Sequence, residues 1–246
     1  MVNVASVLFL LFPNFNTLDV NGPIEIFNHN DVLKGLGATY TAAIASATEH
    51  TTALENIIMK RHHSFDELLE NNATLLASYD ILIVPGGMGK DVHAAVPGLA
   101  PVVQAFAQLD GNLSEKFHSR WIVSVCTGAL VLGELGLFAG KTVTTHFLSL
   151  DDLRRTCAAV QGDGPETTVV RKRWVDAGST PQGARLITSG GISSGIDSVF
   201  WLVSQISSYE GARKIAQVME YHWDYPSGTP SDVTEGYIVP DAMFAM

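Results

Sequence analysis

A chain of 246 residues with 46% hydrophobic and 16% charged residues can bury a large core, which excludes the charged, apolar-poor class of disordered chains. Its 25 acidic against 15 basic residues leave a formal charge of -10, which opposes binding to a phosphate backbone, so nucleic acid is not an expected partner. Two cysteines, Cys126 and Cys157, in a chain too large to need disulfide staples read as thiols of a reducing, cytoplasmic compartment.

The first apolar run, Val4 to Phe12, has no Lys or Arg before it and no small-residue cleavage pattern after it, so it reads as a buried first strand and not as a signal peptide. No run reaches the ~18 to 20 apolar residues that span a bilayer, and no membrane partner is expected. A helix is predicted over Leu18 to Asn28, then strands over Tyr40 to Ala45 and Ile81 to Pro85, and a helix over Pro97 to Leu109. Asp110 to Lys116 reads as an exposed loop, because Gly111 and Asn112 break the helical period. Strands follow at Trp121 to Val125, Thr142 to Thr145 and Arg185 to Thr188, and Gly195 to Ile206 and Gly211 to Trp223 make a helical ending. Such alternation implies parallel βαβ units with helices on both faces, an α/β doubly wound sheet. Without repeats or low-complexity tracts, residues 1–223 read as a single domain. Residues 224–246, with Pro226, Pro230 and Pro240, read as a tail that wraps the domain or reaches a partner subunit.

The chemistry-bearing candidates cluster at strand ends. Trp121 to Val125 stops at Cys126, and Thr127 and Gly128 open an apolar helical stretch: strand, sharp turn, helix, with cysteine at the turn. A side chain at such an elbow is forced out at the carboxyl edge of the sheet, where helix N-terminal N–H groups favour a thiolate, so Cys126 is expected to be an ionised nucleophile. Against this stands the ordinary fate of a free cysteine, a small buried apolar residue. Cys157 has no elbow and takes that bland reading.

Ile81 to Val84 ends in Pro85-Gly86-Gly87, where missing side chains let backbone N–H groups approach a substrate atom; the plain alternative is a tight turn. Asp19 and Glu25 follow the first strand at the same edge, and a carboxyl buried near a cysteine has its pKa raised toward a working range. Asp19 also fits an ordinary first-turn acid, and Glu25 a solvated or salt-bridged helix residue. His146 follows a further strand and approaches the cysteine from the other side. His222 and Asp224 invite a triad reading, but they close a helix at a proline-rich tail and read as surface or packing residues. His62 and His63 have no further ligands at useful spacing, so no metal is expected.

Together these residues carry a resemblance. Leu11-Phe12-Pro13 with Leu18-Asp19-Val20-Asn21-Gly22-Pro23, Pro85-Gly86-Gly87, Ser124 to Gly133 around Cys126, Gly140-Lys141 leading to Thr144-Thr145-His146, and Ser189 to Asp197 occur in the order found in the ThiJ/PfpI superfamily. The chain resembles the isocyanide hydratase branch of that superfamily. The resemblance implies a flavodoxin-like sandwich, usually a homodimer, that works on a small electrophilic substrate without a cofactor. It implies Cys126 as nucleophile, Asp19 as acid, Thr127 as the threonine that follows the cysteine, and Gly86 and Gly87 as backbone donors to substrate. His146 matches a position where other branches place a histidine, and Asp197 is implied to be structural. The expected reaction is hydration of an isocyanide to an N-substituted formamide. The alternatives are a glyoxalase-type hydration of 2-oxoaldehydes with His146 as base, and a sensing domain without catalysis. Asp110 to Arg120 is longer than the usual connection of the branch, and it and the tail stand where they can reshape the pocket mouth.

Overall fold

Strand β1 (Asn3–Leu11) runs through the middle of the molecule, and Val7 to Leu11 are fully buried, as a strand covered on both faces and paired on both edges requires. The computed structural model describes residues 3–29, 38–88, 96–113 and 119–223. After β1 come α1 (Thr17–Asn28), β2 (Ala38–Ser46), the strands β3 (His50–Thr52) and β4 (Ile58–Lys60), β5 (His63–Ser64) and α2 (Phe65–Glu70). Then follow β6 (Ile81–Val84), α3 (Leu99–Ala107), β7 (Trp121–Ser124), α4 (Gly128–Glu134), β8 (Thr142–Val143), α5 (Leu150–Gln161) and β9 (Thr168–Val169). The order closes with β10 (Trp174–Ser179), β11 (Arg185–Ser189), α6 (Ser193–Ile206) and α7 (Tyr209–Val218).

Seven strands form the central sheet in the order β5-β2-β1-β6-β7-β11-β10, and only the β10–β11 pair is antiparallel. The fold is therefore the expected α/β sandwich with a mostly parallel sheet. From β1 the chain moves to β2 on one side and later returns to β6 on the other, so strand order reverses between β1 and β6. In an open α/β sheet that reversal opens a crevice at the carboxyl ends of the strands. The register of β6 on β7 sets Val84 opposite Ser124, and the Val125 N–H donates to the Val84 carbonyl at 2.9 Å. Pro85-Gly86-Gly87 and Val125-Cys126-Thr127 thus leave the sheet side by side.

Several elements differ from expectation. Thr142–Val143 is a two-residue strand that pairs with β9 outside the main sheet. The strand stops there because Thr144 and Thr145 turn inward, the Thr144 N–H donating to Thr188 Oγ1 at 2.9 Å and the Thr145 hydroxyl to the Cys126 carbonyl at 2.7 Å. In the stretch expected as an exposed loop, Asp110 and Asn112 are exposed, but Gly111 is buried, its N–H donating to the Gln182 carbonyl. Residues 114–118 of that stretch lie outside the described residues, as do Asp224 and the whole tail 224–246. Helix α7 starts at Tyr209, capped by the Ser208 hydroxyl accepting from the Gly211 N–H, and ends at Val218, before Glu220 takes a left-handed φ of 50°. The β3–β4 hairpin, β10, α2 and α5 carry too few buried residues to leave a clear apolar period; α5 buries only Leu153 and Cys157. Among the described residues no helix is long and apolar enough to cross a membrane.

Candidate active site

The acid is positioned by a helix cap. Asn16 Oδ1 accepts from the N–H groups of Leu18 and Asp19, starting α1 and setting Asp19 in its first turn. That turn faces inward, because Gly22 of the next turn packs directly on Ile196 of α6, where a Cβ would stand 2.8 Å from a side-chain carbon. Asp19 is 0% exposed. Its Oδ2 accepts the Gly86 N–H at 2.9 Å, and the Ile192 N–H faces the carboxylate, whose Oδ1 is left without a well-formed hydrogen bond. Burial pushes the carboxyl up from its ordinary 3.8 to about 7; the N–H groups of Gly86 and Ile192 pull downward, and Glu55 adds a smaller upward push.

The nucleophile candidate sits across Gly86 from this acid. Cys126 has φ 56°, a strained value for a residue with a side chain, worth about 1–3 kcal/mol of strain. Neighbouring strand ends hold it there: its N–H lies 3.1 Å from both the Ser189 and Gly190 carbonyls, and its carbonyl receives the Thr145 hydroxyl. Only glycine fits at position 86, because a Cβ there would lie 2.5 Å from Cys126 Cβ, 2.7 Å from the Thr127 nitrogen and 2.9 Å from Asp19 Oδ2. The sum of the first and last distances bounds the separation of thiol-bearing carbon and carboxylate. Gly128 is pressed equally hard, with a Cβ position 2.3 Å from the Val84 carbonyl oxygen.

The expectation of a standing thiolate is corrected. Burial pushes the Cys126 thiol up, the Asp19 carboxylate pushes it further, and the Thr127 N–H and hydroxyl oppose without prevailing. Cys126 is 9% exposed, so loss of solvation outweighs one short helix N-terminus. The elbow therefore holds a thiol beside a base, and its ionisation requires a proton acceptor at hand.

The two glycines are also corrected. The Gly86 N–H is committed to Asp19, and the Gly87 N–H donates to Thr127 Oγ1 at 2.9 Å while the same hydroxyl donates to the Gly87 carbonyl at 3.0 Å. Gly86 and Gly87 thus fix the acid and the threonine, and their N–H groups are spoken for. Thr127 lies between the glycine loop and the cysteine, with hydrogen bonds reaching both.

His146 stands one layer away. Its ring packs on Gly191, where a Cβ would meet Cδ2 at 2.3 Å, and Nδ1 accepts from the Leu148 N–H at 3.3 Å, which puts the proton of the neutral ring on Nε2. Burial lowers its pKa. Glu25 is exposed and pairs with His29 on the outer face of α1. His222 lines a separate groove with Tyr209, Arg213 and Trp223. His62 Nδ1 accepts the Ile44 N–H, His63 Nδ1 lies 3.3 Å from Glu67, and among the described residues no group of three or more His, Cys, Asp or Glu is placed to hold a metal. Asp197 is structural: it forms a buried ion pair with Arg173 and accepts the Tyr221 hydroxyl at 2.8 Å.

Sequence reasoning missed two contributors. Glu55, at the tip of the β3–β4 hairpin, accepts the Thr17 hydroxyl at 2.5 Å and the Thr17 N–H at 3.0 Å, tying the hairpin to the start of α1. Ile192, a β-branched residue at φ 42°, ends the Ser189-Gly190-Gly191 turn and aims its N–H at Asp19. No local pattern marks either, since both act through residues far away in sequence.

A cavity of about 260 Å³ adjoins this pair. Its wall includes Thr145, Gly190 and Ile192, which touch the Cys126 backbone or the Asp19 carboxylate, together with His146, Arg171 and Lys172. Cys126 lies behind that wall and is not part of it.

A model of the DJ-1/PfpI family matches residues 5–204. The chain is 30% identical over 236 residues to the isonitrile hydratase of Pseudomonas putida, which covers 95% of this chain and 86% of the relative. A ThiJ/PfpI family protein from Pseudomonas syringae superposes with a TM-score of 0.67 at 19% identity, over 92% of this chain and 78% of that one. An AraC family transcriptional regulator from Pseudomonas putida superposes with a TM-score of 0.62 at 13% identity, over 87% of this chain and 99% of that one, so the fold alone does not decide between enzyme and regulator.

Proposed function

The chain belongs to the DJ-1/PfpI family, and we propose that within it this protein is a cofactor-free hydratase that turns an isocyanide and water into an N-substituted formamide. The carrying observation is the buried Asp19 carboxyl facing Cys126 across Gly86, where burial raises the carboxyl to about 7 and pushes the thiol above its ordinary value. A base titrating near the working pH, next to a thiol that burial keeps neutral, is suited to take the thiol proton as the sulfur attacks.

In the first half-reaction the Cys126 proton passes to Asp19, a bond forms between Sγ and the terminal carbon of R–NC, and Asp19 returns the proton to that carbon. The product is a thioimidate, R–N=CH–S–Cys. Water then adds to the same carbon: its oxygen bonds to carbon, and one of its protons reaches the nitrogen by way of Asp19. The C–S bond breaks as the hydroxyl becomes a carbonyl, its proton returns to sulfur, and R–NH–CHO leaves. Thr127 is fixed to the glycine loop by its two-way hydrogen bonds with Gly87, and its N–H and hydroxyl also reach the Cys126 thiol. A neutral His146 whose Nδ1 is engaged by Leu148 is poorly arranged to be the carbon base that a glyoxalase needs.

We assign the reaction to the reducing cytoplasm, where both thiols stay free. We also propose a homodimer: Leu54, Ile57 and Ile58 are exposed on the β3–β4 hairpin and supply an apolar face for a second copy.

The test is formamide release from an aryl isocyanide, followed by mass spectrometry of the protein. Wild type gives the formamide, and rapid quenching gives a Cys126 adduct heavier by the mass of the isocyanide. Cys126→Ser gives neither. Retention of most turnover by Cys126→Ser overturns the covalent route, and absence of formamide from wild type overturns the hydratase.

A further inference from the structure

The tip of the β3–β4 hairpin reaches the helix that carries the acid. Two backbone hydrogen bonds bring it there: the Asn14 N–H donates to the Thr52 carbonyl and the Leu54 N–H to the Phe15 carbonyl, both at 2.9 Å. Glu55 extends this hold from the loop onto α1 itself, its Oε2 accepting the Thr17 hydroxyl at 2.5 Å and the Thr17 N–H at 3.0 Å. A helix leaves its first N–H groups without partners inside the helix. Here Asn16 Oδ1 takes those of Leu18 and Asp19, and Glu55 takes that of Thr17 from a position 38 residues away. Thr17 is buried and Glu55 is exposed. Burial pushes the Glu55 carboxyl up, but the bonds from Thr17 and from its own N–H outweigh this and hold it below its ordinary 4.5, so Glu55 is a carboxylate throughout the range in which Asp19 titrates. A negative group at the start of α1 also suits the positive end of the helix.

The clamp matters because the carboxyl end of Asp19 is lightly held. Oδ2 accepts the Gly86 N–H, and Oδ1 has no well-formed hydrogen bond, so the direction of the carboxyl depends on where the backbone of this turn sits. The glycine loop fixes the residue before the turn, the Asn16 N–H donating to the Gly86 carbonyl at 2.8 Å, and Glu55 fixes the first residue within it. We propose that Glu55 is a positioning residue of the reaction, pinning the first turn of α1 so that the Asp19 carboxyl stays facing Cys126 across Gly86. This rests on the hydratase reading and adds to it the hairpin, a segment remote from the elbow in sequence. A displacement of about 1 Å at a reacting group costs up to about 10²-fold in rate, so two hydrogen bonds on the acid's own turn are enough to matter. The Glu55 charge has a second effect. Among the described residues, the titratable groups acting on Asp19 are Cys126 from the elbow and Glu55 from the hairpin; the glycine loop and the turn before α6 contribute the Gly86 and Ile192 N–H groups, and the His146 ring behind Gly191 is neutral. Of these, Glu55 is the standing negative charge, and it opposes ionisation of Asp19.

The test measures hydration of phenyl isocyanide across pH. In Glu55→Ala, kcat is expected to fall about tenfold or more while KM stays within about twofold, because the loss lies in the placing of the acid and not in substrate binding. Glu55→Gln keeps an oxygen for Thr17 and should recover most of that loss. The rising limb of its kcat–pH profile, which follows ionisation of Asp19, should lie at lower pH than in wild type because the opposing charge is gone. An unchanged kcat in Glu55→Ala, or a Glu55→Gln protein as slow as Glu55→Ala, overturns the positioning role, and a limb that stays in place in Glu55→Gln overturns the charge effect. If wild type yields no formamide, the hydratase reading has failed, and alkylation of Cys126 by iodoacetamide decides the role of Glu55 separately. The thiol is pushed up by burial and further by the Asp19 charge, so a carboxyl released from its place lets it titrate at lower pH. A midpoint lowered in Glu55→Ala and restored in Glu55→Gln supports the clamp, and one unmoved in Glu55→Ala, or lowered equally in both, overturns it.

Discussion

Replacing Asp19 by asparagine separates what the fold prefers from what the chemistry requires. The carboxyl is 0% exposed and raised from 3.8 to about 7. A carboxyl whose pKa is raised on folding favours the folded state below 3.8, and that contribution is lost as pH climbs through about 7. At about 1.36 kcal/mol per pKa unit, the wild type at neutral to alkaline pH carries a penalty of roughly 4 kcal/mol. Coupling to the Cys126 proton lowers the figure that Asp19 alone accounts for to about 2–4 kcal/mol. Asparagine has the same shape, stays neutral, and keeps an oxygen for the Gly86 N–H. The Asp19→Asn protein should therefore be more stable near pH 8, with Tm higher by at least about 4 °C for a chain of this size. Near pH 5, roughly, the gap should narrow, because the wild-type carboxyl is then protonated in the fold. The same variant should lose about 10²-fold or more in formamide production, since no other group takes the thiol proton. Thermal unfolding by circular dichroism at the two pH values, with turnover on the same samples, measures both effects. An asparagine variant no more stable than wild type near pH 8, or a gap that does not widen from about pH 5 to 8, would refute a carboxyl held against its preference by burial.

Alkylation of Cys126 by iodoacetamide should titrate above the ordinary thiol value of 9.0 in wild type and at lower pH in Asp19→Asn, because the neighbouring negative charge is gone; a wild-type midpoint well below 9.0 contradicts the buried thiol. Gly86→Ala would force a methyl to within 2.5 Å of Cys126 Cβ, so activity should fall by at least about 10²-fold even if the protein folds, as measured by formamide release. Asp197→Ala leaves Arg173 buried at 10% side-chain exposure without its carboxylate, and denaturant unfolding should report a loss of about 3–5 kcal/mol. Ile57→Asp with Ile58→Asp should convert a dimer to a monomer in light scattering, with the far-UV spectrum unchanged.

Chain order and periodicity were enough for the parallel sheet, for α1 and α6, and for the strand, elbow and helix around Cys126. These features are written locally: a strand buried on both faces must be apolar throughout, as Val7 to Leu11 and Ile81 to Val84 are, and an elbow needs a small residue after the nucleophile, as Gly128 is. The candidate residues Asp19, Cys126 and the glycine pair stand at strand ends that the sequence marks locally, whereas Thr127 was singled out only by the family resemblance. Short or thinly buried pieces such as the β3–β4 hairpin and α5 were not legible, because a few buried side chains leave no period to read.

What each site residue does was decided only in three dimensions. Ionisation depends on summed burial and on partners 67 residues apart, as with Asp19 and Gly86, and no pattern within the sequence carries that sum. The helix N-terminus behind Cys126 argued for a thiolate, and desolvation together with the Asp19 charge reversed it. The glycine N–H groups were expected to face substrate, and the packed loops turned them onto Asp19 and Thr127 instead. The cavity beside them exists because the β9–β10 connection, the turn before α6 and the residues after β8 converge on one edge, and that convergence belongs to the fold and not to any segment of the chain.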